Sequence, residues 1–241
     1  MSDEQGNAPL SRSARAEAVE AFIREARRVG AAAEPGRLIF ALDATMSRQP
    51  TWDLAQSLQG GMFDAAAALG GLDVQLVFFR GFGECRASDF VGAGQGLAAL
   101  MSKISCRGGR TQIAKVFRHV LEETGAALEE TGARRIGAVV FVGDAMEEKA
   151  DELCELAGRL GLLGVKAFMF HEGGDAEAGA AFREIARLTG GAYAAFDASA
   201  PRRLAELLSA AAAYAAGGLA ELERRADKGE DAARLLLSQM G

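Results

Sequence analysis

The sequence predicts an α/β domain: a doubly wound, mainly parallel six-stranded sheet with helices on both faces. Two observations carry this. Short apolar runs alternate with amphipathic stretches of helical length, the pattern of βαβ units. Two of those runs, RLIFALD at 37–43 and IGAVVFV at 136–142, are almost continuously apolar, as in strands covered on both faces rather than one.

In chain order, residues 14–33 read as a helix, with Ala18, Phe22, Ile23 and Val29 near helical spacing among charges. Pro35-Gly36 ends it and strand 37–43 follows. Residues 51–69 form the next helix, with Trp52, Leu54, Leu58, Met62 and Phe63 on its apolar side. LDVQLVFF at 72–79 is the second strand, and 81–87 returns after a glycine-marked turn as the short edge strand. Helices at 90–104 and 112–130 precede strand 136–142. Helix 147–160, strand 165–170, helix 176–188 and strand 192–196 complete the sheet. Helix 204–225, kinked at Gly217-Gly218, and a short helix 231–239 close the chain. Residues 1–33 are thus expected to be a polar segment and helix packed on the domain, 34–216 the domain itself, and 217–241 a helical extension.

Composition narrows the function classes. A net charge of −6 disfavours a nucleic-acid surface. No apolar stretch of membrane-spanning length occurs, and MSDEQGNAPLSRSAR lacks the apolar core of a signal peptide, so a cytoplasmic protein without membrane contact is expected. Cys85, Cys106 and Cys154 are scattered, odd in number and outside any CxxC pair, which points to reduced thiols. Gly92-Ala93-Gly94-Gln95-Gly96 has neither the placement nor the spacing of a nucleotide loop.

Open α/β sheets bind ligands beyond the carboxyl ends of their strands, so what each strand ends on matters most. The first runs into Asp43-Ala44-Thr45-Met46-Ser47. If the chain stays extended there, alternation turns residues 43, 45 and 47 to one side. IGAVVFV ends on Gly143-Asp144. Between them Cys106-Arg107-Gly108-Gly109-Arg110-Thr111 is a flexible loop opening a helix, and Gly108-Gly109 lets it bend Thr111 toward the same place. Asp43, Thr45, Ser47, Thr111 and Asp144 are all hard oxygen donors, suited to Mg²⁺, Mn²⁺ or Ca²⁺. The competing reading of each is local: acids capping helices and hydroxyls bonded to loop backbone.

DxTxS after a first strand, a later Thr and a GD after an apolar strand together resemble the metal-ion-dependent adhesion site (MIDAS) of von Willebrand factor type A (VWA) domains, over residues 34–216. The resemblance implies a Rossmann-like sheet with a short antiparallel edge strand. It implies that Asp43, Thr45 and Ser47 form the first metal-binding segment, Thr111 the second and Asp144 the third. It further implies that an open metal position accepts a Glu or Asp carboxylate from a partner protein. Thr45 stands where Ser is usual and keeps the oxygen. Bacterial cytoplasmic members work beside AAA-type ATPases or chaperone-like proteins, so a partner of that kind is expected.

Arg48, Arg107, Arg110 and His171 lie next to the proposed ligands and are expected on a partner-binding rim, the arginines either attracting an acidic partner or serving as solvated loop charge. The alternative is a Mg²⁺-dependent hydrolase or phosphotransferase, because an Asp at the end of a first strand also opens the haloacid-dehalogenase motif. That chemistry needs a second acid two residues on, where Thr45 stands, and no Ser-His-Asp order or zinc spacing is present. The expectation is a binding module, not an enzyme.

Overall fold

A computed structural model describes residues 36–48, 72–92, 95–129, 134–197 and 201–240. The helices expected at 14–33 and 51–69 lie outside the described residues. The strands are β1 (Arg37–Asp43), β2 (Asp73–Arg80), β3 (Glu84–Gly92), β4 (Ile136–Gly143), β5 (Lys166–Glu172) and β6 (Ala192–Phe196). The helices are α1 (Gln95–Met101), α2 (Ile113–Glu129), α3 (Ala150–Leu162), α4 (Ala176–Thr189), α5 (Pro201–Asp227) and α6 (Asp231–Leu237), with a 3₁₀ turn at Met46–Arg48.

The six strands form one sheet in the order β3-β2-β1-β4-β5-β6. β1 pairs in parallel with both β2 and β4, and β5 and β6 extend the parallel ladder. Only β3 runs antiparallel, on β2. It is longer than expected and reaches Gly92, so α1 begins five residues later than the apolar pattern suggested. A register shift between Gln75 and Val77 lets the Ser88 hydroxyl accept from Leu76 N at 3.0 Å where a backbone carbonyl would otherwise stand.

The central runs are continuously apolar because alternate residues feed separate cores. Leu38, Phe40 and Leu42 of β1 join Val140 and Val142 of β4 and Phe168 and Phe170 of β5 on one face. Leu97 and Met101 of α1, Leu204, Leu207 and Ala211 of α5, and Ala232 and Leu236 of α6 cover that face. Ile39 and Ala41 face the other way with Val139, Phe141 and Met169, under Phe117 of α2, Leu156 and Leu160 of α3, and Phe182 of α4. Each Val, Leu, Ile, Phe or Met side chain so removed from water contributes about 1.5–3 kcal/mol.

The described residues fall within one compact unit spanning 35–241. α5 bends at Gly218, where φ is 67° and ψ −162°, a backbone geometry that an L side chain rarely tolerates. Beyond the bend Leu222 and Ala226 return to the α5 core, so residues past 217 pack on the same sheet face. No helix among the described residues is long and apolar enough to cross a membrane.

Candidate metal centre at the switch point of the sheet

From β1 the chain moves outward to β2 and β3, then crosses back to β4 on the other side of β1. A crevice therefore opens between the carboxyl ends of β1 and β4, where ligands collect in sheets of this kind. All three proposed ligand segments end there. A cleft of about 180 Å³ is lined by Asp43, Thr45, Met46 and Ser47, by Gly108, Gly109 and Thr111, and by Ala145 and Glu147.

The first segment does not stay extended. Ala44 N still donates to Phe79 O at 3.0 Å, continuing the ladder with β2, but the chain then bends into the 3₁₀ turn. Asp43 Oδ1 accepts from Thr45 N at 2.8 Å, an aspartate turn. Thr45 Oγ1 and Ser47 Oγ are 3.1 Å apart. Residues 43, 45 and 47 thus meet through a tight turn rather than through strand alternation. Asp43 is 1 % exposed.

The second segment is tied to the first and to the β2–β3 hairpin. Arg107 N donates to Ala44 O and Arg110 N to Gly81 O, both at 3.0 Å. A Cβ on Gly109 would stand 2.0 Å from Gly81 O, so only glycine permits this approach. Gly109 is required for a close crossing with the hairpin rather than for loop flexibility.

Thr111 is buried, and its hydroxyl donates to Glu148 Oε2 at 2.6 Å while accepting from Glu147 N at 3.0 Å. A hydroxyl has one proton and two lone pairs, so one lone pair of Thr111 remains uncommitted. Glu147 Oε2 accepts from Thr111 N at 2.6 Å, and Glu148 Oε1 accepts from Ala114 N at 2.9 Å, capping α2 from a distant loop. Glu147 and Glu148 escaped the sequence reading because they looked like the start of helix 147–160. In the fold α3 begins only at Ala150, which frees both carboxylates to reach across.

Asp144 Oδ1 is buried without a hydrogen-bond partner among the described residues. A Cβ on Gly143 would stand 3.7 Å from the Asp43 Cβ, so the corner that carries Asp144 adjoins the first segment. Among the described residues Asp144 itself does not line the cleft, which its neighbour Ala145 does. A buried, unbonded carboxylate oxygen of this kind is costly unless a cation or proton satisfies it. The donor set is all oxygen, which suits Mg²⁺, Mn²⁺ or Ca²⁺. Among the described residues no three His, Cys, Asp or Glu side chains gather to hold a metal, so a cation here would depend on the hydroxyls.

The rim differs from expectation in one member. Arg107 and Arg110 are exposed beside the cleft, and the Arg48 side chain lies outside the described residues. His171 is 2 % exposed and lines no rim. Its Nε2 lies 3.3 Å from Asp144 O, an acceptor only, so Nε2 carries the proton; Nδ1 then accepts from Tyr193 OH at 3.0 Å. Burial lowers the His171 pKa and favours this neutral form. The imidazole steadies the Asp144 backbone instead of meeting a partner.

The same chain path recurs in known structures. A von Willebrand factor type A protein from Catenulispora acidiphila superposes with a TM-score of 0.58 at 14 % identity, over 75 % of this chain and 43 % of that one. The fold is that of a VWA domain. The SpRpn10 VWA domain gives a TM-score of 0.53 at 11 % identity, over 71 % of this chain and 95 % of its own. The pilus adhesin SpaC from Lactobacillus rhamnosus GG gives 0.55 at 11 %, over 74 % and 30 %. The chain therefore spans less than half the length of the first and third of these proteins. No protein-family model and no curated protein matches it. As in the VWA fold, the sheet is mainly parallel, with β3 as its antiparallel edge strand.

Proposed function

We propose that this VWA fold is a divalent-metal-dependent protein-binding module of the MIDAS type, in which a partner's Glu or Asp carboxylate docks at the cleft between β1 and β4. The observation that carries the reading is the meeting of Asp43, Thr45, Ser47 and Thr111 around one cleft that Ala145, next to Asp144, also lines; Asp144 Oδ1 is buried and unbonded among the described residues. Asp43, Thr45, Ser47, Thr111 and Asp144 would hold the ion. Bound Mg²⁺, or Mn²⁺ or Ca²⁺ in its place, supplies an electrophilic centre that draws an external anion. The residues favour that outcome because three of the five donors are neutral hydroxyls and leave positive charge unneutralised. Glu148 accepts the Thr111 hydroxyl's only proton, so toward a cation that oxygen could act only as a donor of electron density.

The adhesin among the structural neighbours supports a binding role for this architecture. AAA-type ATPases and chaperone-like proteins are the first partners to test, in a bacterial cytoplasmic setting. The hydrolase alternative needs an acid at position 45, where Thr45 instead bonds Ser47. Titration calorimetry with Mg²⁺ and Mn²⁺ tests the reading: saturable heat is expected from the intact chain and none from Asp43→Ala. Equal binding by that variant overturns it.

A further inference from the structure

The β2–β3 hairpin carries the most conspicuous apolar side chain beside the cleft. Phe82 is 85 % exposed at the tip of Gly81-Phe82-Gly83. The tip is nonetheless firmly braced. Gly81 O accepts from Arg110 N at 3.0 Å, Gly83 O accepts from Lys115 Nζ at 3.0 Å, and Gln112 Nε2 lies 3.2 Å from Arg80 O, 3.4 Å from Gly81 O and 3.3 Å from Glu84 O. Gln112 is itself buried. These bonds fix the backbone of the turn and so the place from which Phe82 projects.

That turn abuts the proposed metal centre. Gly109 lines the cleft and packs directly on Gly81, and the Arg107 Cδ lies 3.8 Å from where a Gly81 Cβ would stand. Arg107 and Arg110 are exposed and form no ion pair among the described residues, although most arginines nearby, such as Arg80 and Arg86, are paired with Glu84. Met46 lines the cleft and is 56 % exposed. Two exposed arginines with no ion pair among the described residues, together with an exposed aromatic on a braced turn, are complementary to a surface that is both acidic and apolar. An aromatic on an ordered backbone has only two side-chain torsions to lose on burial, and aromatics and arginines dominate binding energy.

We propose that Phe82, Met46, Arg107 and Arg110 form a recognition surface for an exposed partner loop in which an acidic residue has an aromatic or branched aliphatic neighbour. The acid enters the cleft, the apolar neighbour covers Phe82, and the arginines set the approach. This rests on the metal-dependent binding reading and adds to it the sequence character of the partner.

The test uses a phage-displayed peptide library with one fixed Glu and randomised flanks, selected on the full chain in Mg²⁺. Enrichment of aromatic or branched aliphatic residues next to the Glu is expected. A synthetic peptide from that pool should bind Phe82→Ser at least about tenfold more weakly and Arg107→Ala/Arg110→Ala several-fold more weakly with reduced salt dependence. Phe82→Ser should leave the thermal midpoint and the Mg²⁺ affinity unchanged, because the side chain is in solvent. No enrichment, enrichment without apolar neighbours, or equal affinity for Phe82→Ser overturns the proposal. Phe82-dependent self-association in sedimentation, in place of peptide binding, also overturns it by making a second copy the occupant. Peptide binding that persists in chelator yet fails in Phe82→Ser keeps the surface and discards the metal reading.

Discussion

The Thr111 hydroxyl donates a hydrogen bond to Glu148 Oε2 at 2.6 Å, and Oε1 of the same carboxylate accepts from Ala114 N at 2.9 Å. One side chain from the β4–α3 loop thereby caps α2 and orients a proposed metal ligand. Loss of such a cap costs about 1–2 kcal/mol, and loss of a ligand's supporting partner about 10–100-fold in metal affinity. Glu148→Ala should show both effects, by urea denaturation and by Mg²⁺ titration. Glu148→Gln retains an acceptor and should recover much of the stability. Full stability in Glu148→Ala would mean that the cap is dispensable.

Asp43→Asn separates the fold from the ion. Asparagine keeps an oxygen acceptor for Thr45 N, so the turn after β1 survives without metal. The intact chain should melt higher as Mg²⁺ is raised, following the logarithm of ligand concentration over its dissociation constant, whereas Asp43→Asn should not respond. A melting curve of the variant that climbs in parallel with the wild type would remove Asp43 from the ligand set.

Gly108 and Gly109 make a paired control. A methyl at Gly109 would collide with the Gly81 carbonyl at 2.0 Å, whereas one at Gly108 meets nothing within 4 Å. Backbone against backbone leaves no flexible atom to yield, so Gly109→Ala should lose about 2 kcal/mol or more. Gly108→Ala should be close to neutral. Equal denaturation midpoints for the two variants would contradict the close crossing of loop and hairpin.

The far end of the molecule has its own pH signature. Glu221 pairs with Arg224 and with Arg225, and these bonds hold its carboxyl below the usual 4.5. A carboxylate whose pKa falls on folding contributes stability that is present above its unfolded value and is lost as pH drops through the folded one. Glu221→Gln should therefore cost about 1–2 kcal/mol at neutral pH, and the gap from wild type should close below about pH 4.5. Stability curves that stay parallel into acid would show that the ion pairs contribute nothing.

Much of this architecture was readable from the chain because the central strands are buried on both faces. Runs such as RLIFALD and IGAVVFV cannot belong to an exposed helix, and both end where the acids begin. The helix boundaries were less readable at the site itself. Residues 147–149 have helical composition, yet Glu147 and Glu148 are held in a loop by bonds to Thr111 and Ala114, partners 34 to 37 positions away. His171 misled for a similar reason. A strand-end position placed it near the cleft, but the contacts that bury it come from Tyr193 on the next strand and from the Asp144 carbonyl. Neither contact leaves a mark in local sequence.

The strand order has a consequence for how the protein comes to exist. β1 pairs Arg37 with Ile136 across a stretch of chain that holds β2, β3, α1 and α2. Contacts between such distant parts of a chain form slowly, since the intervening loop must be closed before the pairing rewards it. The cleft between β1 and β4 exists only once that long-range pairing has formed, so an ion bound there would stabilise the folded sheet over partly paired chains by mass action.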